Sequence, residues 1–208
     1  HYDTFRNRVI FPIWDGRARP IAFGGRLLPS EKNPENSPKY LNSPESELFK
    51  KSETLYGIHL ARKSIKDLGE VILTEGYMDV ISLNQGGFEN TVAALGTALT
   101  ENHLLGLKQV LGGRDTKGSV LLMLDGDEAG IKAAKRAFPI SLKTAVHTKS
   151  SILPEGKDAA DVLTSDDGKG KEKLSHHITN SVDLIQVMID DLIKEKGKSL
   201  DDRAKVAE

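Results

Sequence analysis

Two short acidic motifs stand out by residue type and spacing. Thr74-Glu75-Gly76-Tyr77-Met78-Asp79 holds two carboxylates four residues apart, so that on a helix Asp79 lies one turn beyond Glu75 on the same face. Leu124-Asp125-Gly126-Asp127-Glu128-Ala129-Gly130 flanks a glycine with two aspartates, so both carboxylates can turn toward one ion. Four carboxylates in one crevice repel one another unless cations neutralise them. Oxygen ligands without imidazole or thiolate suit a hard divalent ion, Mg²⁺ or Mn²⁺. Taken alone, Asp-Gly-Asp reads more readily as a turn with an N-cap for the next helix. Its place in the chain decides.

That place is set by an alternating pattern over residues 70–150. Val71-Ile72-Leu73-Thr74 is a strand of the buried type, and Met78 to Gln85 a short helix. Thr91 to Leu95 is a second strand, followed by a helix from Glu101 to Leu111. Ser119 to Leu124 is a third, followed by a helix over Glu128 to Phe138, and Lys143 to His147 makes a fourth strand. Strands alternating with helices imply right-handed crossovers, hence an α/β fold with a parallel sheet flanked by helices. In such sheets ligands bind at the carboxyl ends of the strands. Glu75 directly follows the first strand and Asp125 the third, so both acids stand where the rule puts a site.

The flanking segments differ in character. Arg8 to Ile13 reads as a strand entering a proline stop, Asp15-Gly16-Arg17 as a turn, and Pro20 to Phe23 as a strand closed by Gly24-Gly25. Four prolines between Pro29 and Pro44 mark a long irregular loop. Lys169 to Lys173 reads as a charged linker. After it, Ile178, Val182, Ile185, Ile189 and Ile193 form one helical stripe. Thr97 and Thr100 are candidate caps for the helix at Glu101. His176-His177 is a surface pair, because neighbours on a helix point about 100° apart.

Composition narrows the function classes. The 208 residues contain no cysteine, which excludes a disulfide scaffold, a thiol nucleophile and any zinc or iron–sulfur site built on thiolates. The longest apolar runs are strand-sized, far short of the about 20 residues of a membrane span. Net charge is −1, yet residues 1–69 carry twelve basic and eight acidic residues, and residues 70–165 nine and twelve. A basic third before an acidic middle suits a protein that holds a polyanion with one part and cations with the next. The chain opens at His1 and stops in a helical pattern, so it is expected to be an excised fragment.

The motifs resemble those of one family. Glu75 to Val80, Leu95-Gly-Thr-Ala-Leu-Thr100 and Asp125 to Gly130 are similar to the Toprim motifs of bacterial DnaG-type primases. Arg6 to Ile13, Ala22 to Arg26, Pro38 to Glu45, Phe49 to Ser52 and Leu55-Tyr56-Gly57 are similar to that family's basic subdomain. The resemblance runs in order over about residues 3–163. Toprim motifs alone also fit topoisomerases and nucleases, and the basic segment in front selects primase.

The resemblance implies a Toprim-type parallel sheet, a small N-terminal α/β basic subdomain and the start of a C-terminal helical bundle, divided as 1–69, 70–165 and 166–208. It implies a DNA-directed RNA polymerase making short primers from ribonucleoside triphosphates on single-stranded DNA, with Mg²⁺ or Mn²⁺ and no zinc in this fragment. Glu75 becomes the acid/base and metal-linked glutamate, with Asp79 beside it; Asp125 and Asp127 become the principal metal ligands, joined by Asp158. The family usually has Asp-Pro-Asp at this third motif. Here Asp158-Ala159-Ala160 stands in its place with Asp161 one residue later. Either Asp161 substitutes through a shifted backbone or one metal site is weakened. Arg8, Arg26, Lys39, Tyr40, Asn42 and Lys51 are implied as template and nucleotide contacts. A replicative helicase and a single-strand-binding protein are expected partners of the full-length protein through regions absent here, in the bacterial cytoplasm. Two rivals remain: a primase-like RNA-binding subunit without polymerase activity, and a Toprim nuclease.

Overall fold

The computed structural model describes residues 3–29, 37–114, 116–125, 128–165 and 168–196. The chain begins with β1 (Arg8–Trp14), β2 (Pro20–Leu27) and β3 (Tyr40–Asn42), which form a three-stranded antiparallel sheet in the order β1-β2-β3. There follow β4 (Leu55–Tyr56), α1 (Ile58–Leu68), β5 (Glu70–Thr74), α2 (Tyr77–Gln85), β6 (Thr91–Ala94), α3 (Glu101–Leu111), β7 (Ser119–Leu124) and α4 (Glu128–Thr144). The chain continues through β8 (His147–Ile152), α5 (Ala159–Leu163), α6 (Gly170–Thr179), β9 (Val182–Asp183) and α7 (Leu184–Lys196). The second sheet runs β4-β6-β5-β7-β8-β9; its four inner strands are parallel, and β4 and β9 close the edges antiparallel. This is the expected α/β architecture.

Strands β5, β6 and β7 are buried on both faces, which is why they read as largely apolar runs, whereas β8 is polar and buried only in part. Their period of two deals alternate residues to opposite faces. Val71, Leu73, Val120 and Leu122 join one core with Ala61 and Ile65 of α1, Leu104 and Leu107 of α3, and Ala134 and Ala137 of α4. Ile72, Leu121 and Met123 join the other with Leu83 of α2, Val162 of α5 and Leu174 of α6. A third core welds the small sheet to the large one: Phe11, Ile13, Ala22 and Phe49 pack against Tyr77 and Leu95.

Several expected boundaries moved. β2 does not stop at Gly24-Gly25 but runs through both, because they let the strand lie against neighbours. A Cβ on Gly24 would meet the Tyr77 hydroxyl, and one on Gly25 would come within 2.7 Å of the Phe5 ring. Pro12 likewise fails to end β1: it sits on the exposed face of a strand that continues to Trp14. Helix α4 runs past Phe138 through Pro139 to Thr144, displacing the fourth parallel strand to His147–Ile152. Proline is tolerated there because its ring faces solvent while Ala134, Ala137 and Phe138 anchor the helix to the core. The segment Lys169 to Lys173 is no linker: α6 starts at Gly170, with Leu174 wholly buried. The stripe from Ile178 to Ile193 is not one helix, being shared among α6, β9 and α7. The last element buries Leu184 and leaves Ile185, Ile189 and Ile193 exposed. The proline-rich loop contains β3, and its residues 30–36 lie outside those described. No helix among the described residues is long and apolar enough to cross a membrane.

Candidate functional site

The register β5–β7 pairs Leu73 with Leu122, which brings Glu75 and Asp125 to the same end of two neighbouring parallel strands. Glu75 is exposed and Asp125 half-buried. Asp127 falls outside the described residues. Asp79 sits in the first turn of α2 and is buried. Its Oδ2 accepts from the Gly76 backbone N–H at 3.1 Å and its Oδ1 from the Ala160 N–H at 3.4 Å. Burial, then the charge of Asp158, pushes its pKa up to about 6, with the two N–H donors opposing and Glu75 adding to the rise. Asp158 therefore lies within electrostatic reach of Asp79, across from the strand ends.

Asp158 and Asp161 form a reciprocal cap at the start of α5. Asp158 Oδ1 accepts from the Asp161 N–H at 2.7 Å, and Asp161 Oδ2 accepts from the Asp158 N–H at 3.3 Å. The Asp161 carboxylate is thus folded back beside Asp158, while Ala160 offers its N–H to Asp79. Among the described residues no three carboxylates or imidazoles stand close enough together to hold an ion. The donor chemistry still fits a hard cation. The set is all oxygen, and the side-chain charges acting on Asp79 are both carboxylates. Asp79 spends both oxygens on backbone donors, which ties the Gly76 turn to the start of α5.

The raised Asp79 value has a thermodynamic consequence. A carboxyl that binds its proton more tightly in the folded chain makes stability fall as pH rises. For Asp79 that contribution is complete below the ordinary 3.8 and is lost as pH climbs through about 6. Without divalent ions, Tm should decline between about pH 4 and 6. Asp79→Asn should lack that part of the decline, which paired thermal melts would measure.

The residues expected at nucleic acid fall into three sets. Exposed Lys39 and half-buried Arg26 each bring their charge to 5.9 Å from the centre of the Tyr40 ring. Tyr40 is 37% exposed and stacks at 6.1 Å on buried Tyr77. These three make a cationic, aromatic surface. Lys51 stands apart, half-buried near the start of α3. Arg8 and Asn42 spend side-chain groups within the protein. Arg8 donates to the Gly25 and Lys39 carbonyls at 3.1 and 3.4 Å. Asn42 accepts from the Tyr77 hydroxyl at 2.6 Å and donates to the Leu95 carbonyl at 3.2 Å. Since Tyr77 opens α2 two residues after Glu75, Asn42 ties β3 directly to the acidic turn.

Sequence reasoning passed over Tyr77 and His103 as structural joints. It also missed a cavity of about 420 Å³ beside Glu75, walled by Gly96, Thr97, Leu99, Ala133 and Arg136. The only signal for that cavity was the motif around Thr97. The cap at α3 is Thr100, which accepts from the His103 N–H, and not Thr97.

Comparison with known proteins bears on both halves. Residues 1–62 match the model of the DNA primase catalytic core, N-terminal domain, and residues 72–163 a Toprim-like model. The DNA primase of Pseudomonas putida is 50% identical over 160 residues, covering 76% of this chain and 23% of that protein. The DNA primase of Aquifex aeolicus is 43% identical over 187 residues, covering 90% of this chain and 35% of that one. A crystal structure of a DNA primase domain from Pseudomonas aeruginosa superposes with TM-score 0.84 at 40% identity, covering 99% of this chain and 61% of the other. A DnaG primase catalytic domain bound to ssDNA gives 0.83 at 34%, over 99% of this chain and 63% of that one. The chain thus spans about a quarter to a third of the curated relatives' length. With the basic and acidic halves matched in the same order, the chain belongs to the bacterial DnaG-type primase family and corresponds to part of its catalytic core.

Proposed function

We propose that the protein is a DNA-directed RNA polymerase core that builds short RNA primers on single-stranded DNA by metal-dependent nucleotidyl transfer. The observation that carries this reading is the junction of the two halves. The Tyr40 surface and the acidic strand ends are fastened to each other through Tyr77, which stacks on Tyr40 and donates to Asn42 beside the Glu75 turn. A template strand held on the first lies next to ions held at the second.

In this reading Glu75 and Asp125, with Asp127 and Asp158, hold Mg²⁺ or Mn²⁺. A divalent ion so held supplies charge stabilisation for the attacking 3′-oxygen and the departing pyrophosphate. Glu75, exposed at its strand end, would take the proton of the attacking hydroxyl. Asp79 orients the Gly76 turn and α5 through its two backbone bonds. Arg26, Lys39 and Lys51 neutralise phosphates, and Tyr40 offers a stacking face. With aromatic residues at 5% of the chain, the grip is mainly electrostatic and tolerant of template sequence. The similarity to a DnaG primase catalytic domain bound to ssDNA supports a single strand as the ligand.

The test is incubation with single-stranded DNA, labelled ribonucleotides and Mg²⁺ or Mn²⁺. Short, template-dependent RNA is the expected product. Degradation of a labelled strand would make it a nuclease, and binding of RNA without synthesis would make it a binding subunit. Lys39→Ala should weaken template binding evenly across sequences. It should also flatten the log–log salt dependence by about 0.7, one contact's worth on a single strand, in anisotropy titrations. An unchanged slope would make Lys39 an ordinary surface charge.

A further inference from the structure

We propose that His103 is the positioning residue for Lys51, fixing the backbone from which that lysine reaches toward the nucleic-acid phosphates. The proposal rests on the reading of Lys51 as a phosphate contact.

His103 lies in the first turn of α3 and has no exposed surface. Both ring nitrogens are engaged. The Thr100 backbone N–H points at Nδ1 at 3.3 Å, and the Lys51 carbonyl lies 2.8 Å from Nε2. An N–H can only donate, so Nδ1 must carry a lone pair, and the proton of the neutral ring sits on Nε2 and is given to Lys51. Burial lowers the pKa of this histidine, opposed by the backbone of Lys51 and Thr54. Thr100 adds a second tie: its hydroxyl donates to the Ser52 carbonyl at 2.6 Å while accepting from the His103 N–H at 3.1 Å. Two consecutive carbonyls of the basic segment therefore end on one turn of α3. From the other side, the Lys51 N–H donates to Glu45 Oε1 at 3.0 Å.

The turn that holds Lys51 belongs to the acidic half. α3 follows β6, and β6 pairs in parallel with β5, Thr74 against Ala93. Its first turn thus rises from the end of the sheet that carries Glu75 and Asp125. Lys51 is hung from the carboxylate-bearing sheet by a residue 52 positions further along the chain. A side chain placed to about half an ångström needs such a support, because its own flexible stem supplies none. A histidine serving only as a helix cap would use Nδ1 alone; the bond from Nε2 is what a cap does not require.

Asparagine and glutamine separate the two roles. His103→Asn keeps an acceptor near Nδ1 and loses the donor to Lys51. His103→Gln reaches the Lys51 carbonyl with its amide N–H and gives up the acceptor for Thr100. Template affinity is measured by anisotropy of a labelled single strand over several salt concentrations for both variants, for Lys51→Ala and for the Asn/Ala double variant. The expected result is that His103→Gln binds close to the unsubstituted chain. His103→Asn should show the fold-loss and flattened salt slope of Lys51→Ala, and add no further loss in the double variant. Binding by His103→Asn equal to that of the unsubstituted chain, with Lys51→Ala weakened, overturns the proposal. So do equal losses in Asn and Gln with the salt slope unchanged, which mark a general packing role. An unaltered Lys51→Ala overturns the phosphate reading of Lys51 and the proposal with it. Should either variant fail to fold, imidazole ¹⁵N spectra of the unsubstituted chain decide: a protected proton on Nε2 is expected, and one on Nδ1 overturns the assignment.

Discussion

Asp125→Asn is expected to lower primer synthesis on the order of a hundredfold or more, while template binding in metal-free buffer is kept or improved. The substitution preserves shape and removes one charge at the end of β7, level with the end of β5. Loss of a group that merely supports a metal ligand costs about 10- to 100-fold, and loss of a ligand should cost at least as much. Template affinity moves the other way because one negative charge fewer faces the phosphates. Synthesis and metal titration on the same preparations check it. Synthesis at the unsubstituted rate would remove Asp125 from the ion site, whereas a joint loss of synthesis and template binding would point to misfolding instead.

Gly24→Ala is expected to destabilise the protein by about 1–3 kcal/mol, the usual cost of forcing atoms into a filled core. The added methyl would fall on the hydroxyl and ring of Tyr77. That ring cannot yield easily: it is 4% exposed, stacks on Phe11 at 5.0 Å and meets the edge of Tyr56 at 4.7 Å. Its hydroxyl is held by Asn42 at 2.6 Å. Relief must come from β2 lifting away, which also parts the Tyr40 surface from the acidic turn. Synthesis should therefore fall further than Tm alone suggests. Tyr77→Phe removes the nearest atom of the clash, so the double variant should melt above the temperature that adding the two single losses gives. Strict additivity in thermal melts would place the clash on the Tyr77 ring rather than on its hydroxyl.

Much of the site was legible because its signals are local. The alternation of apolar strand and amphipathic helix over residues 70–150 marks a parallel sheet, and the sheet rule then assigns Glu75 and Asp125 to one edge. The limits of α3 and β7 were read correctly for a related reason: Thr100 caps the one, and six buried residues in a row make the other. The errors fall where packing overrides propensity. Pro139 and the glycine pair in β2 look like stops to any local rule. Both are tolerated because contacts from far along the chain hold the element, Ala134 and Ala137 against the sheet in one case and Tyr77 against Gly24 in the other.

By itself, then, the sequence determined the α/β class, the lack of any thiolate, the split between a basic first third and an acidic middle, and the family. These follow from residue type, period and order, which need no third dimension. Only the tertiary structure decided how the halves meet. Tyr77 as the pivot, Asn42 as a strut, the His103 contact with the Lys51 carbonyl and Asp161 as half of a capping pair all depend on geometry. Except for the Asp161 cap, they join residues 35 to 53 positions apart. Hydrogen bonds and ring contacts act over a few ångströms, and spacing along a chain says nothing about which distant groups folding brings within that reach.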